Sequence, residues 1–280
     1  MNDSLRLFVQ KIAKLPTLPA IAHEILDLVN DDLTSIDKLE HIIEQDPAIS
    51  AKILSFASSA FFGYADPNTT VSSAIQKIGF NNVRNIVIGI SLMTIFDDSR
   101  HDNALDYHKI FRHSLAVGMI AKFMSENLNI KKPDEIFLSG ILHDLGLLLM
   151  NRHFSDIRIK VKNEVKQGMP ILDAEKAALG FTHADMGAWL ADRWNLSETI
   201  WETILYHHTP SLAEKNPEQV AIVHLSDAIA CRNSFCMTEH KASYPVDISS
   251  LGILNISEKE FDDMESKITR DMFSSEILGS

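Results

Sequence analysis

Apolar residues recur along most of this chain at the three-to-four-residue spacing of helices that bury one face, and nowhere do they alternate as in a half-buried strand. Leu5, Phe8, Val9 and Ile12 share one side of a segment from Asp3 to Lys14, which stops at the rigid connector Leu15-Pro16-Thr17-Leu18-Pro19. Further helices are predicted from Ala20 to Asn30, from Ser35 to Gln45 with Ile36, Leu39, Ile42 and Ile43 on one face, and from Pro47 to Ala60. Asp46-Pro47 reads as an N-cap followed by a first-turn proline. A loop from Phe61 to Thr70, carrying Gly63, Pro67 and Asn68, breaks the array before a helix pair, Val71 to Lys77 and Asn82 to Phe96.

The polar run Asp97-Asp98-Ser99-Arg100-His101-Asp102-Asn103 separates two strongly periodic regions. The pattern therefore predicts an all-α chain of two helical lobes, with residues 1–100 as an amino-terminal lobe, 101–235 as a helical bundle and 236–280 as a helical extension. In the bundle, Ile110, His113, Val117, Ile120 and Met124 form one stripe of a helix from Leu105 to Leu128. The stretch from Ser139 to Leu149 is apolar almost all round and reads as one buried helix with His143 and Asp144 inside the protein. Helices from Phe154 to Lys166 and from Ile171 to Leu179 follow. Thr182, with Asp185 three residues on, predicts an N-cap that puts His183 in a first turn, in line with Gly187, Leu190 and Trp194. Ser197 opens a helix leading to His207 and His208, and a helix from Pro217 to Arg232 sets Val220, Val223, His224, Asp227 and Cys231 on one side. A last helix is expected near Ser257 to Phe273.

Composition narrows the classes. With 45% hydrophobic and 23% charged residues in 280, the chain can bury a substantial core and is neither disordered nor fibrous. A net charge of -12 argues against a nucleic-acid surface, and the helix pair around Gly79 offers only Lys77 and Arg84, so it reads as packing rather than a DNA-binding unit. The start of the chain lacks the apolar run of a signal peptide, and Asn85 to Phe96 is too short for a bilayer core of about 30 Å. Cys231 and Cys236 are spaced unlike a zinc ribbon or redox pair, and a reduced, cytoplasmic protein is expected.

A single histidine on an apolar stripe is usually a hydrogen-bonded core residue. Here successive segments each turn one inward: His113, His143 with Asp144, His183, His207 with His208, and then Asp227. Imidazoles and carboxylates converging in a helical bundle describe a metal site, and the mixed donors suit Fe, Mn, Zn, Co or Ni, with one or two ions per chain. Asp144 is the natural bridge and the expected catalytic residue, because paired ions that activate water and neutralise a phosphate ester are a common phosphohydrolase device. Arg112, Arg152, Lys176 and Arg193 are the candidate cations for meeting phosphate beside such a centre.

A His, a His-Asp pair and a late Asp on successive helices resemble the HD superfamily of metal-dependent phosphohydrolases. Leu15-Pro16-Thr17-Leu18-Pro19, Asp46-Pro47-Ala48-Ile49-Ser50-Ala51-Lys52-Ile53-Leu54 and Val71-Ser72-Ser73-Ala74-Ile75-Gln76-Lys77-Ile78-Gly79 resemble more specifically the HDOD (HD-related output) domain, from about Leu15 to about Cys231. The resemblance implies an HD-type bundle for the second lobe and carries the superfamily's ligand pattern onto His113, His143, Asp144 and Asp227. The related HD-GYP phosphodiesterases add histidines that His183, His207 and His208 match. It also implies a regulatory role in bacterial-type signal transduction, through a protein partner or a small phosphorylated ligand. Three positions depart from HD-GYP enzymes: Leu147 stands where they have a phosphate-facing Lys, Thr209-Pro210-Ser211 replaces the Gly-Tyr-Pro motif, and Lys109 replaces a glutamate.

Overall fold

The computed structural model describes residues 3–10, 17–28, 33–58, 69–95, 107–153, 155–235 and 246–268. Outside them lie the expected loop up to residue 68, the polar boundary at 97–103, Leu15 and Pro16 of the connector, Cys236, and the predicted last turns of several helices.

Among the described residues the regular structure is helical, as the periodicity requires. In chain order the helices are Asp3–Val9 (α1), Ala20–Leu26 (α2), Leu33–Glu44 (α3), Pro47–Ala57 (α4), Val71–Ile78 (α5), Phe80–Thr94 (α6), Tyr107–Asn127 (α7) and Pro133–Leu142 (α8). They continue with Leu145–His153 (α9), Ser155–Lys166 (α10), Ile171–Leu179 (α11), His183–Arg193 (α12), Glu198–Tyr206 (α13), Pro217–Ala230 (α14), Ser249–Ile253 (α15) and Glu258–Lys267 (α16). None is long and apolar enough to cross a membrane.

Local chemistry explains the helix starts. Asp46 Oδ1 accepts from the N–H groups of Ala48 and Ile49 at 2.9 and 3.1 Å, so the first turn of α4 is capped. Thr182 and Asp185 form a reciprocal capping box: Asp185 N–H donates to Thr182 Oγ1 at 3.2 Å, and Thr182 N–H donates to Asp185 Oδ2 at 2.8 Å. That box fixes where α12 begins and places His183 as its first residue.

The chain divides into two compact units, Met1–Thr17 with Phe96–Phe261, and Leu18–Ile95 with Asp262–Ser280. The second unit is aliphatic inside, with Ile25, Leu39, Ile43, Ile53, Val83 and Val87 fully buried. The first contains every expected ligand. The division from sequence grouped α1 with the amino-terminal lobe, whereas α1 belongs to the ligand-bearing unit, where Phe8 meets Phe181 edge-on at 4.9 Å between ring centroids.

Helix α7 packs along α8 at a backbone-to-backbone crossing. A Cβ added to Gly140 would fall 2.7 Å from the Cα of Gly118, so only glycines allow that approach. The predicted single helix across residues 139–149 is two: α8 stops at Leu142, His143 and Asp144 form a turn, and α9 starts at Leu145. The cause is not local. Gly146 lies against the backbone of α12, where a Cβ would collide with the carbonyl oxygen of His183 and stand 2.8 Å from the nitrogen of Gly187. Turning the chain at His143-Asp144 lets α9 lie against α12.

Candidate metal centre

Four helices and the turn between α8 and α9 deliver the expected ligands to one place. His113 comes from α7, His143 and Asp144 from the turn, His183 from the start of α12, His207 and His208 from the end of α13, and Asp227 from α14. His208 is half-buried, and the others are 3% exposed or less. All seven expected residues are thus brought together, in overlapping groups: Asp144 with His183, His207 and His208; and Asp144 with His143 and His113. His113 also groups with Asp227 and, unexpectedly, Cys231.

The ring orientations carry the chemistry. His113 Nδ1 lies 2.8 Å from the carbonyl of Phe235, His143 Nδ1 2.8 Å from that of Gly140, and His207 Nδ1 2.7 Å from that of Ile204. A carbonyl only accepts, so each Nδ1 carries the proton and each ring, when neutral, presents a lone pair at Nε2. Those lone pairs face one another. His113 Nε2 is 3.3 Å from His143 Nε2 and 3.2 Å from Asp227 Oδ1, while Asp144 Oδ2 lies 3.1 Å from His143 Nε2 and 3.6 Å from His113 Nε2. Four acceptors crowded in a buried space repel unless a cation stands among them.

The other end is similar. Asp144 Oδ1 lies 3.4 Å from His183 Nε2 and 3.6 Å from His207 Nε2, and His208 Nε2 lies 3.0 Å from His183 Nε2. Asp144 Oδ1 and His207 Nε2 are both buried with no hydrogen-bond partner. Orphaned acceptors at the centre of a His/Asp donor set fit a divalent transition metal ion, and the two carboxylate oxygens of Asp144 face opposite groups as a bridge would.

Sequence reasoning missed Glu175. It is buried on α11, and its Oε2 accepts from both the backbone N–H of His183 at 2.9 Å and the ring Nδ1 at 2.8 Å. This carboxylate–histidine pair fixes the ring and raises its basicity toward an ion. The signal was there: Ile171, Ala174, Glu175 and Ala178 share one helical stripe, so the acid faces inward. His224 was also missed; its Nδ1 donates to the carbonyl of His207 at 2.7 Å, and its Nε2 accepts from Asp247 N–H at 2.8 Å.

The acid–base balance follows from these contacts. Burial pushes the Asp144 carboxyl up, but the imidazoles of His143, His183 and His207 crowded around it outweigh that and hold the group well below the usual carboxylate range. Burial opposes charge on His183, yet Glu175 and Asp144 on either side push its pKa up to about 10. Without an ion, a proton on His183 supplies positive charge between the carboxylates. Burial and then neighbouring imidazole charge lower His207 and His208, and His113 more than offsets burial to lower Asp227. Of the candidate phosphate-binding cations, Lys176 and Arg193 are exposed, and Arg193 lies over the Trp189 ring, 5.9 Å from its centroid. Arg112 is half-buried, and the side chain of Arg152 lies outside the described residues.

A helical bundle with this constellation is of HD type. The HDOD domain family model matches residues 15–210, more than half of the chain, and the protein belongs to that family. A solved HDOD domain protein of unknown function from Geobacter sulfurreducens superposes with a TM-score of 0.84 at 25% identity, over 99% of this chain and 97% of that one. A Shewanella amazonensis protein, provisionally assigned as a phosphohydrolase, shares the fold with a TM-score of 0.74 at 22% identity, over 96% of each chain. An uncharacterized protein of Treponema pallidum is 24% identical over 201 residues, which are 71% of this chain and 38% of that protein. The match thus spans little more than a third of that relative.

Proposed function

We propose that this protein is a regulatory HDOD protein whose ligand-bearing unit holds one or two divalent transition metal ions bridged by Asp144. The observation that carries this reading is the facing pair of Nε2 lone pairs on His113 and His143, with both Nδ1 atoms committed to carbonyls. On this reading His113, His143, Asp144 and Asp227 hold one ion, and Asp144, His183, His207 and His208 hold the other. Output passes to a protein partner or follows binding of a small phosphorylated ligand. The near-complete burial of the donors favours a sensory or structural centre over one open to substrates.

The test is elemental analysis of protein purified without chelator, for wild type and Asp144→Ala. Stoichiometric Fe, Mn, Zn, Co or Ni in the wild type and its loss in the variant are expected. Wild type without stoichiometric metal overturns the reading.

One observation favours a second reading, a metal-dependent phosphohydrolase: Asp144 is shared between two donor groups, and the half-buried His208 leaves one side more open. Bound ions would supply water activation and neutralise phosphate charge. Asp144 would hold the bridging position, and Glu175 would orient His183. Turnover of phosphodiester or nucleotide substrates by reconstituted wild type and not by Asp144→Ala would select this reading; absence of turnover at full metal content would select the regulatory one.

A further inference from the structure

Cys231 belongs to no ligand set that the family pattern supplies, yet it stands at the His113 end of the centre. It is one turn beyond Asp227 on the same helical face, buried, with Sγ 3.8 Å from Asp227 Oδ1. Asp227 Oδ1 is 3.2 Å from His113 Nε2. One donor atom from each of His113, Asp227 and Cys231 lies within 4.8 Å of the others, a spread that one ion can gather. Asp144 turns its other carboxylate oxygen, Oδ2, to this end, 3.6 Å from His113 Nε2.

The backbone gives a second reason. At Cys231 the α-helical path of α14 changes to a π-helical segment, Cys231–Phe235. Such widened turns are frequent at functional sites. Here the segment brings two groups to one imidazole: the Cys231 thiol into the donor group with His113, and the Phe235 carbonyl to its Nδ1 at 2.8 Å. A buried cysteine that merely fills space sits among apolar atoms, whereas this sulfur faces a carboxylate oxygen.

We propose that Cys231 is a thiolate ligand at the His113–Asp227 end, making that end a mixed nitrogen, oxygen and sulfur site. The inference rests on the metal reading above. On binding, the S–H bond gives way to a sulfur–metal bond and the proton leaves to solvent, so uptake at this end releases one proton more than an imidazole–carboxylate site would. A thiolate directs the end toward Zn, Fe or Co rather than Mn.

The test uses the full chain, stripped with chelator and reloaded with Co(II), as wild type, Cys231→Ser and Cys236→Ser. Ion content is measured by elemental analysis, fold by circular dichroism, and ligation by absorption. The expected result is a near-ultraviolet sulfur-to-cobalt charge-transfer band in wild type and Cys236→Ser that is lost in Cys231→Ser. In Cys236→Ser, whose one remaining thiol is Cys231, cobalt should also slow alkylation, which keeps the inference testable if Cys231→Ser fails to fold. Full cobalt content without the band, or a band that disappears with Cys236, overturns thiolate ligation while leaving the metal centre standing. Failure of wild type to take up cobalt, zinc or iron overturns both.

Discussion

The two ends of the histidine cluster share Asp144 and differ in what stands behind their rings. At the His183 end a buried carboxylate, Glu175, backs the imidazole and holds it through two hydrogen bonds. At the His113 end the backing group is a neutral carbonyl, that of Phe235, and the added polar neighbours are Asp227 and Cys231. A charge behind the ring makes the first end a strong base, with His183 pushed up to about 10. The second end gathers negative charge directly around His113 Nε2, with Asp227 Oδ1 at 3.2 Å and Asp144 Oδ2 at 3.6 Å. One end is tuned through the ligand and the other by the ligands' identity.

The largest expected effect comes from removing what the ends share. Asp144→Ala should abolish metal content at both and leave neighbouring imidazoles without their counter-charge, a loss of about 3–5 kcal/mol when one partner of a buried pair is removed. Elemental analysis and denaturant unfolding would read the two effects separately. Gly146→Ala should follow, because the added methyl meets the His183 carbonyl. Overpacking of about 1–3 kcal/mol is expected, with a lower Tm and weaker metal retention at the His183 end before the His113 end.

Glu175→Gln separates the ends. Metal affinity at the His183 end should fall about 10- to 100-fold while the His113 end keeps its ion, as competition with a graded chelator would show. In metal-free protein the same change should bring the titration of His183, followed by NMR, down from about 10 toward the ordinary histidine value. The sign follows from linkage: a raised histidine pKa contributes stability that is fully present below about 6.5 and is lost as pH rises through about 10. Metal-free wild type should therefore weaken over that alkaline window, and Glu175→Gln should weaken less.

The smallest effect concerns the loop after α13. Glu202 accepts from the backbone N–H groups of Glu214, Lys215 and Asn216, and although burial opposes its charge these bonds lower its pKa. Its contribution is present above the ordinary glutamate value and fades as pH falls through the lowered one. Glu202→Gln should cost roughly 0.5–1.5 kcal/mol near neutrality and flatten the acid limb of stability, measured by urea unfolding from pH 7 to pH 4.

Much of this architecture was legible in the chain. Stripe periodicity predicted an all-helical protein, and the caps at Asp46 and Thr182 marked real helix starts, because both signals act within a turn or two. The inward direction of His113, His143, His183, His207 and Asp227 followed from the same local rule. The break at His143-Asp144 was not legible, since it depends on Gly146 meeting α12 about forty residues later. Glu175 was readable from its stripe but looked like an ordinary helical acid. The role of Phe235 rests on a main-chain carbonyl that no residue type announces.

The crossing of Gly118 and Gly140 bears on how such a protein can change over generations. Its candidate ligands occupy side-chain positions, where apolar replacements could fill the space in a protein that holds no ion. The glycines hold two backbones in contact, and no larger residue fits without parting α7 from α8. Descendants that give up the centre should shed histidines and aspartates first and keep the glycine pair. A lineage with both glycines and few ligands would be one in which the scaffold outlived its chemistry.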